Sequence, residues 1–310
     1  MKLILGFSIP LLFGNLFQQF YSMVDTMIVG RVLGTGPLAA VGSTGSITFL
    51  IIGFCLGLCS GFAIPVAQRF GSRDYKELRR FIGNAVWLCV GFGFVLTVLT
   101  VIFCRNILEL MGTPADIIDD AYAYLVVIFA GIPATFLYNM LAGIQRAIGD
   151  SRTPVVILVI ASIINIVLDI VLVVFIPMGV AGAAVATVTS QLIGGVVCLL
   201  YVSKHYEVLK MTREDFKINV PCIKRLLSMG LPMALQTSIT AIGSVILQAS
   251  VNSLGSTVVA SITAGSRLYM FFACAYDAMG VTMSTYSGQN IGARKIDRIE
   301  QRSEERRVGK

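Results

Sequence analysis

Three carboxylates stand where water is scarce. Of the 17 acidic residues, Asp25, Asp169 and Asp277 fall inside apolar segments, whereas the others sit in loops, at segment edges or in the tail. An ionised carboxylate at mid-bilayer costs roughly 2.5–3.5 kcal/mol on insertion scales, so each is expected to face a cavity and to have partners. Asn15, Gln18, Gln19 and Ser22 precede Asp25 at helical spacings and build a polar stripe on its helix. Asn165 and Asp169 are four apart and project from one helix face. Thr187, on the following segment, carries a hydroxyl able to donate to a carboxylate or to share an ion. The set suits a proton, a Na+ or an organic cation. The plainer alternative makes each Asp a structural partner for an Asn or a backbone group, above all Asp277, which stands outside the Asn165, Asp169 and Thr187 grouping.

These residues need a membrane scaffold. The 310 residues are 56% hydrophobic and 13% charged, with a mean hydropathy of +0.82, whereas ordinary soluble domains carry about 25% charged residues. At roughly 20 residues per span there is room for about eight helices and little else. That excludes a nucleic-acid domain, a disulfide-stapled secreted module and a coiled coil. The first apolar run passes Asp25 without a small-residue cleavage pattern, so it is no signal peptide. Seven cysteines lie mostly in apolar runs, as small hydrophobes, and the one histidine, His205, is in a polar loop. No metal site, cofactor or catalytic residue is expected, and the chain does not read as an enzyme. The Gly-rich stretches Gly42–Gly45 and Gly53–Gly61 lack a Lys-Ser/Thr ending and read as close helix packing.

Eight apolar segments are expected at about 3–30, 45–69, 81–104, 121–145, 154–176, 179–202, 226–252 and 257–290. Lys2, the basic residues from Arg69 to Arg80, Arg146, Arg152 and those from Lys204 to Arg225 put fourteen cations on one side, against Arg31 and Arg105 on the other. This bias predicts a cytoplasmic amino terminus. An internal repeat follows from two offsets. At 222, Leu5 and Pro10 fall on Leu227 and Pro232; at 221, Leu33, Gly34, Ala39, Gln68, Gly71 and Arg73 fall on Leu254, Gly255, Ala260, Gln289, Gly292 and Arg294. The copies run in the same direction, which predicts lobes related by an axis along the membrane normal. The expected organisation is a six-helix lobe over 1–203, an inter-lobe loop over 204–225, and the first two helices of a second lobe over 226–301, four spans short of a full repeat. Residues 302–310 (RSEERRVGK) back-translate into a common sequencing adapter and are expected to be foreign to the fold.

The stretches SIPLLFGNLFQQFYSMVDTMIVGRVLG, PVAQRFGSRDYKELRR, QRAIGDSRTP, NIVLD, MGVAGAAVATVTSQ and GQNIGA together resemble the MATE (multidrug and toxic compound extrusion) family over about residues 3–300. The resemblance implies an all-α polytopic membrane protein, with about eight of an expected twelve helices present, in two six-helix lobes of which the second is incomplete. It implies an antiporter of the cell membrane, of bacterial type, that exports organic cations against H+ or Na+. The implied site is Asp25 on the first helix, Asn165 and Asp169 on the fifth and Thr187 on the sixth, with Tyr124 matching a fourth-helix Tyr. The second-lobe counterpart of Asp25 falls at Ile246 or Leu247, so the acids are confined to the first lobe unless Asp277 contributes. Expected partners are the bilayer and small organic cations, for a protein acting as a monomer and without nucleic acid. A flippase for lipid-linked oligosaccharides is the rival, and would favour cavity-facing Arg or Lys.

Overall fold

A computed structural model describes residues 2–252 and 256–301, excepting the side chains of 2, 3, 245, 248–252, 256–264, 266–268 and 271. Residues 302–310, where the foreign tail is expected, lie outside it, as do Leu254 and Gly255 of the repeat. The described residues form helices and turns, with no strand among them. The helices are α1 (Lys2–Val32), α2 (Thr35–Ser43), α3 (Gly45–Gly71), α4 (Tyr75–Ile102), α5 (Cys104–Leu110), α6 (Ile118–Ala130), α7 (Ile132–Ala147), α8 (Arg152–Asp169), α9 (Gly179–His205), α10 (Val220–Asn252) and α11 (Ser256–Gly292).

Five of them are long and apolar enough to cross a membrane: α3, α4, α8 with its extension to Phe175, α9 and α10. The pair α6 and α7 makes a sixth, bent by 46°. The bend falls at Gly131, with Pro133 in the next turn, where a missing amide and a missing side chain weaken the helical ladder. The expected continuous span over 121–145 is therefore broken. The α1 and α11 helices are 31 and 37 residues long, and among the described residues five or six candidate spans are found against the expected eight.

The inter-lobe segment is more ordered than its expectation as a loop. Two short 3-10 turns, Glu207–Leu209 and Arg213–Phe216, carry the chain to α10, which starts at Val220 rather than 226. Thr212 and Asp215 cap the second turn reciprocally. Asn84 of α4 clamps the segment, its Nδ2 donating to the Lys217 carbonyl at 3.3 Å and its Oδ1 accepting from the Asn219 amide at 2.8 Å. Trp87 Nε1 donates to the Phe216 carbonyl at 2.9 Å. Arg79 lies 3.5 Å from the Asp215 carboxylate. Burial pushes that carboxyl up, but hydrogen bonds from Thr212 and the nearby arginines outweigh it and hold it below the usual range.

The repeat is visible in atomic detail. Helix α3 closes with the Ser72, Arg73 and Asp74 amides donating to the Gln68, Phe70 and Arg69 carbonyls; α11 closes with the Ala293, Arg294 and Lys295 amides donating to those of Gln289, Ile291 and Asn290. Each bond maps onto its counterpart at an offset of 221. Arg73 and Arg294 are the described non-glycine residues with positive φ, at 59° and 56°. Gly71 packs on the Gln289 carbonyl and Gly292 on that of Gln68, so closely that a Cβ at either would collide with backbone. Reciprocal contact of equivalent residues is the mark of a local two-fold axis, and only glycine permits the approach.

The main core joins α3, α4, α6, α7 and α10, with Phe62, Leu58, Phe129 and Leu226 fully buried. All seven cysteines are free and buried. Its tightest seam lies between α3 and α10, where Gly57 and Gly61 face the backbone of Ala234 and Gly230, and Gly53 meets the Thr237 methyl. The Gly53–Gly61 stretch thus packs helices, as its lack of a phosphate-loop ending predicts.

Candidate functional site

Asp169 is the last α-helical residue of α8, where the chain passes into a π-helical turn, Ile170–Phe175. Such turns are common at functional sites because the wider winding breaks the regular ladder. The Asp169 side chain is fully buried, and neither carboxylate oxygen has a donor. Asp25 of α1 comes within interaction range of it, with its own Oδ1 buried and unpartnered. One turn before Asp169, buried Asn165 donates from Nδ2 to Thr187 Oγ1 on α9 at 3.5 Å, leaving its Oδ1 without a donor. Tyr21 and Tyr124 stand within electrostatic range of both acids.

The expected residues Asp25, Asn165, Asp169 and Thr187 thus converge, with Tyr124 beside them. Tyr21 was not among them, although it lies one helical turn before Asp25 and its spacing placed it on the same face. Asp277 does not join the group: it is exposed on α11, whereas its neighbours Ala278 and Val281 face inward onto a cavity. Four buried oxygens without donors, three of them from carboxylates, form an acceptor-rich cluster that suits a proton or a hard cation.

Beside the cluster a cavity of ≈ 250 Å³ opens between α1, α7, α8, α9 and α11. Asn165 belongs to both, so the acidic cluster and the cavity share a wall. Neutral polar groups, including Asn15, Gln18, Tyr138, Asn139 and Gln191, share its lining with apolar side chains such as Leu11, Ile52 and Leu158. Asn15 Nδ2 reaches the Cys274 carbonyl at 3.4 Å, and Gln191 Oε1 accepts from Thr135 at 2.8 Å. No carboxylate lines it, but Arg146 does. Arg146 was expected in a connecting loop; it lies instead in the last turn of α7, with its side chain turned to the cavity.

A second cavity of ≈ 880 Å³ lies at the end of the bundle that carries the basic loops, among Arg73, Asp150, Arg152, Lys295 and Arg298. Asp150 there organises the turn into α8. Its Oδ1 accepts from the amides of Arg152 at 2.9 Å and Thr153 at 3.1 Å, and its Oδ2 accepts from the Tyr206 hydroxyl. Burial pushes the Asp150 carboxyl up, but these donors outweigh it and hold the group below the usual carboxylate range. Burial and the adjoining carboxylate push the Tyr206 hydroxyl up.

Comparison with known proteins adds a family. The MatE family model matches residues 10–171 and 232–304. The probable multidrug resistance protein YoeA of Bacillus subtilis is 32% identical over 302 residues, which cover 95% of this chain and 65% of that protein. An FAD transporter of Shewanella oneidensis is 26% identical over 307 residues, 97% of this chain and 67% of its own. A solved MOP superfamily transporter from Pyrococcus furiosus, described under a reverse polarity of its binding pocket that suggests a different function, superposes with a TM-score of 0.90. It is 26% identical, with 96% of this chain and 66% of that one covered. The chain spans about two thirds of the length of these relatives.

Proposed function

From the premise that this chain belongs to the MatE family of membrane transporters, we propose that it works in an H+- or Na+-coupled antiporter that exports amphipathic drug-like molecules by alternating access. Organic cations are the substrates that the residues and the family resemblance first suggest. The reading places eight spans of an eventual twelve in the cell membrane of a bacterium, with the amino terminus and the basic loops in the cytoplasm, acting as a monomer. Transport needs no covalent chemistry.

One observation carries it: Asp25 and Asp169 face each other in a buried site without a donor between them. Two such carboxylates are satisfied by a shared proton or by a cation, and otherwise repel. The acids sit on α1 and α8, two helices that pack together and wall the cavity. Loading the pair draws these helices together, and unloading lets them part. A coupling ion can shift the balance of two conformations only by its difference in affinity for them, and helices bound to both the ion site and the cavity supply that difference.

The test is Asp25→Asn and Asp169→Asn in the whole protein, since each keeps shape and removes charge. Both variants should reach the membrane at wild-type abundance and lose ion-driven export of norfloxacin, a fluorescent drug that carries both a carboxylate and an ammonium group. Under H+ coupling, wild-type export falls as external pH rises; under Na+ coupling it follows external Na+. Unchanged export by both variants at equal abundance would return the pair to a structural role.

A further inference from the structure

Arg146 is the cation that the coupling mechanism leaves unused. It lines the cavity, yet among the described residues its side chain has no ion pair and no hydrogen bond, although its carbonyl accepts from the Gly149 amide at 2.9 Å. Its electrostatic neighbours are Tyr138, Cys59 and Cys198, none of which bears a charge at neutral pH. Three arginines elsewhere have carboxylate partners: Arg79 has Asp215, Arg80 has Glu77, and Arg105 has Glu109 and Asp119. An ionisable residue within a membrane bundle is costly unless partnered, and the contents of the cavity that Arg146 lines can supply the partner.

We propose that the cavity selects molecules carrying a carboxylate or phosphate group, with Arg146 as its anchor. The proposal rests on the transporter reading and narrows its substrate class to organic anions and zwitterions. A guanidinium offers five N–H donors in a planar fork that matches either oxyanion, in a geometry that a water molecule does not fill. Around it, Tyr138, Asn139 and Gln191 offer neutral hydrogen-bonding groups to the rest of the molecule. Asp25 and Asp169 lie beyond Asn165, outside the cavity lining, so no fixed negative charge on the wall repels an anion. Just beyond Arg146 in the chain, Gly149, Asp150, Ser151 and Arg152 line the wider cavity. That vestibule carries Arg73, Arg152, Lys295 and Arg298 against one carboxylate, Asp150, already engaged by three donors. An anion entering from the basic end meets a favourable field along the way.

The test uses a fluorescent pair of nearly equal shape, coumarin-3-carboxylate and coumarin-3-carboxamide, titrated into the purified whole protein in neutral detergent. Wild type should bind the carboxylate about tenfold more tightly, the scale of a charge-assisted fork over a neutral hydrogen bond. Arg146→Gln should erase the preference while leaving carboxamide affinity in place, and Arg146→Lys should restore part of it. Asn139→Asp lies two turns away on the same face and keeps Arg146, so it serves if the Gln variant folds poorly. Its new carboxylate should also abolish the preference. Equal wild-type affinity for the two probes, or equal loss of both in Arg146→Gln at retained thermal stability, overturns the proposal. Asp25→Asn should leave the preference intact while uncoupling export, so failure of the anion site and failure of the coupling site are read separately.

Discussion

The α3–α10 seam and the α1–α11 seam are copies of one another, and one is closed where the other holds cavities. The contact between Gly53 and Thr237 corresponds, at offsets of 221 and 222, to that between Cys274 and Asn15, which fixes the one-residue gap of the repeat after Asn15. Along α3 the sequence then runs Gly53, Gly57, Gly61, facing Thr237, Ala234 and Gly230; the equivalents along α11 and α1 are Cys274, Ala278 and Thr282, and Asn15, Leu12 and Ser8. Each glycine has gained a side chain, and Ala234 has become a leucine. The added atoms hold the second seam apart, and both cavities lie along it, touching Asn15, Ala278 and Thr282. Duplication alone would yield two identical seams; divergence at a few small positions turned one into a clasp and the other into a compartment.

The comparison breaks most easily at the clasp. Gly61→Leu forces side-chain atoms into the Gly230 backbone and should cost at least about 3 kcal/mol, read as loss of the monodisperse peak in size-exclusion chromatography after heating. Next come Gly71→Ala and Gly292→Ala, each driving a methyl into the opposite Gln carbonyl. Each should cost about 1–3 kcal/mol. Because both open one contact, the double variant should lose clearly less than the sum in a double-mutant cycle of thermal unfolding; full additivity would deny the two-fold contact.

Sharper still is Ala278→Leu on the open seam, where the cavity receives the added bulk. It should leave thermal stability within about 1 kcal/mol while lowering affinity for both coumarin probes. Asp150→Asn should cost about 1 kcal/mol at neutral pH, kept small by partial exposure. The folded carboxyl sits below its unfolded value, so this stabilisation is present above the ordinary carboxylate range and is lost as pH falls through the folded value. The wild-type and variant unfolding curves should therefore merge in strong acid. Least affected should be Asp277→Asn, which is exposed and apart from the site; export and ion dependence should match wild type.

The acids were legible in the sequence because an Asp in an apolar run is rare and because a separation of four fixes a helix face. Asn165 and Asp169 meet that rule, and both are buried together. The repeat was legible through Gln68, Gly71 and Arg73 because a helix end that needs a positive φ and a close backbone contact tolerates few residue types. Arg146 was misread since charge counting assigns every cation near a turn to the loop, although a helix end can direct a long side chain back into the bundle. The π-helical turn was invisible: IVLVVF is equally apolar in either winding, and the register shift comes from packing on α9, where Gly182 approaches the Leu172 carbonyl. The bend at Gly131 had its warning in the nearby Pro133, whose missing amide weakens a helical ladder.

The segment that leads into α10 has one more implication. A slack tether would let α10 drift, with its position set by chain entropy. Here residues 206–219 are bolted to α4 through Asn84, Trp87 and Arg79, and α10 starts at Val220, directly after the last bolt. The segment therefore sets the starting point of α10 on α4, and the glycine seam with α3 holds the same helix again further on, at Gly230, Ala234 and Thr237.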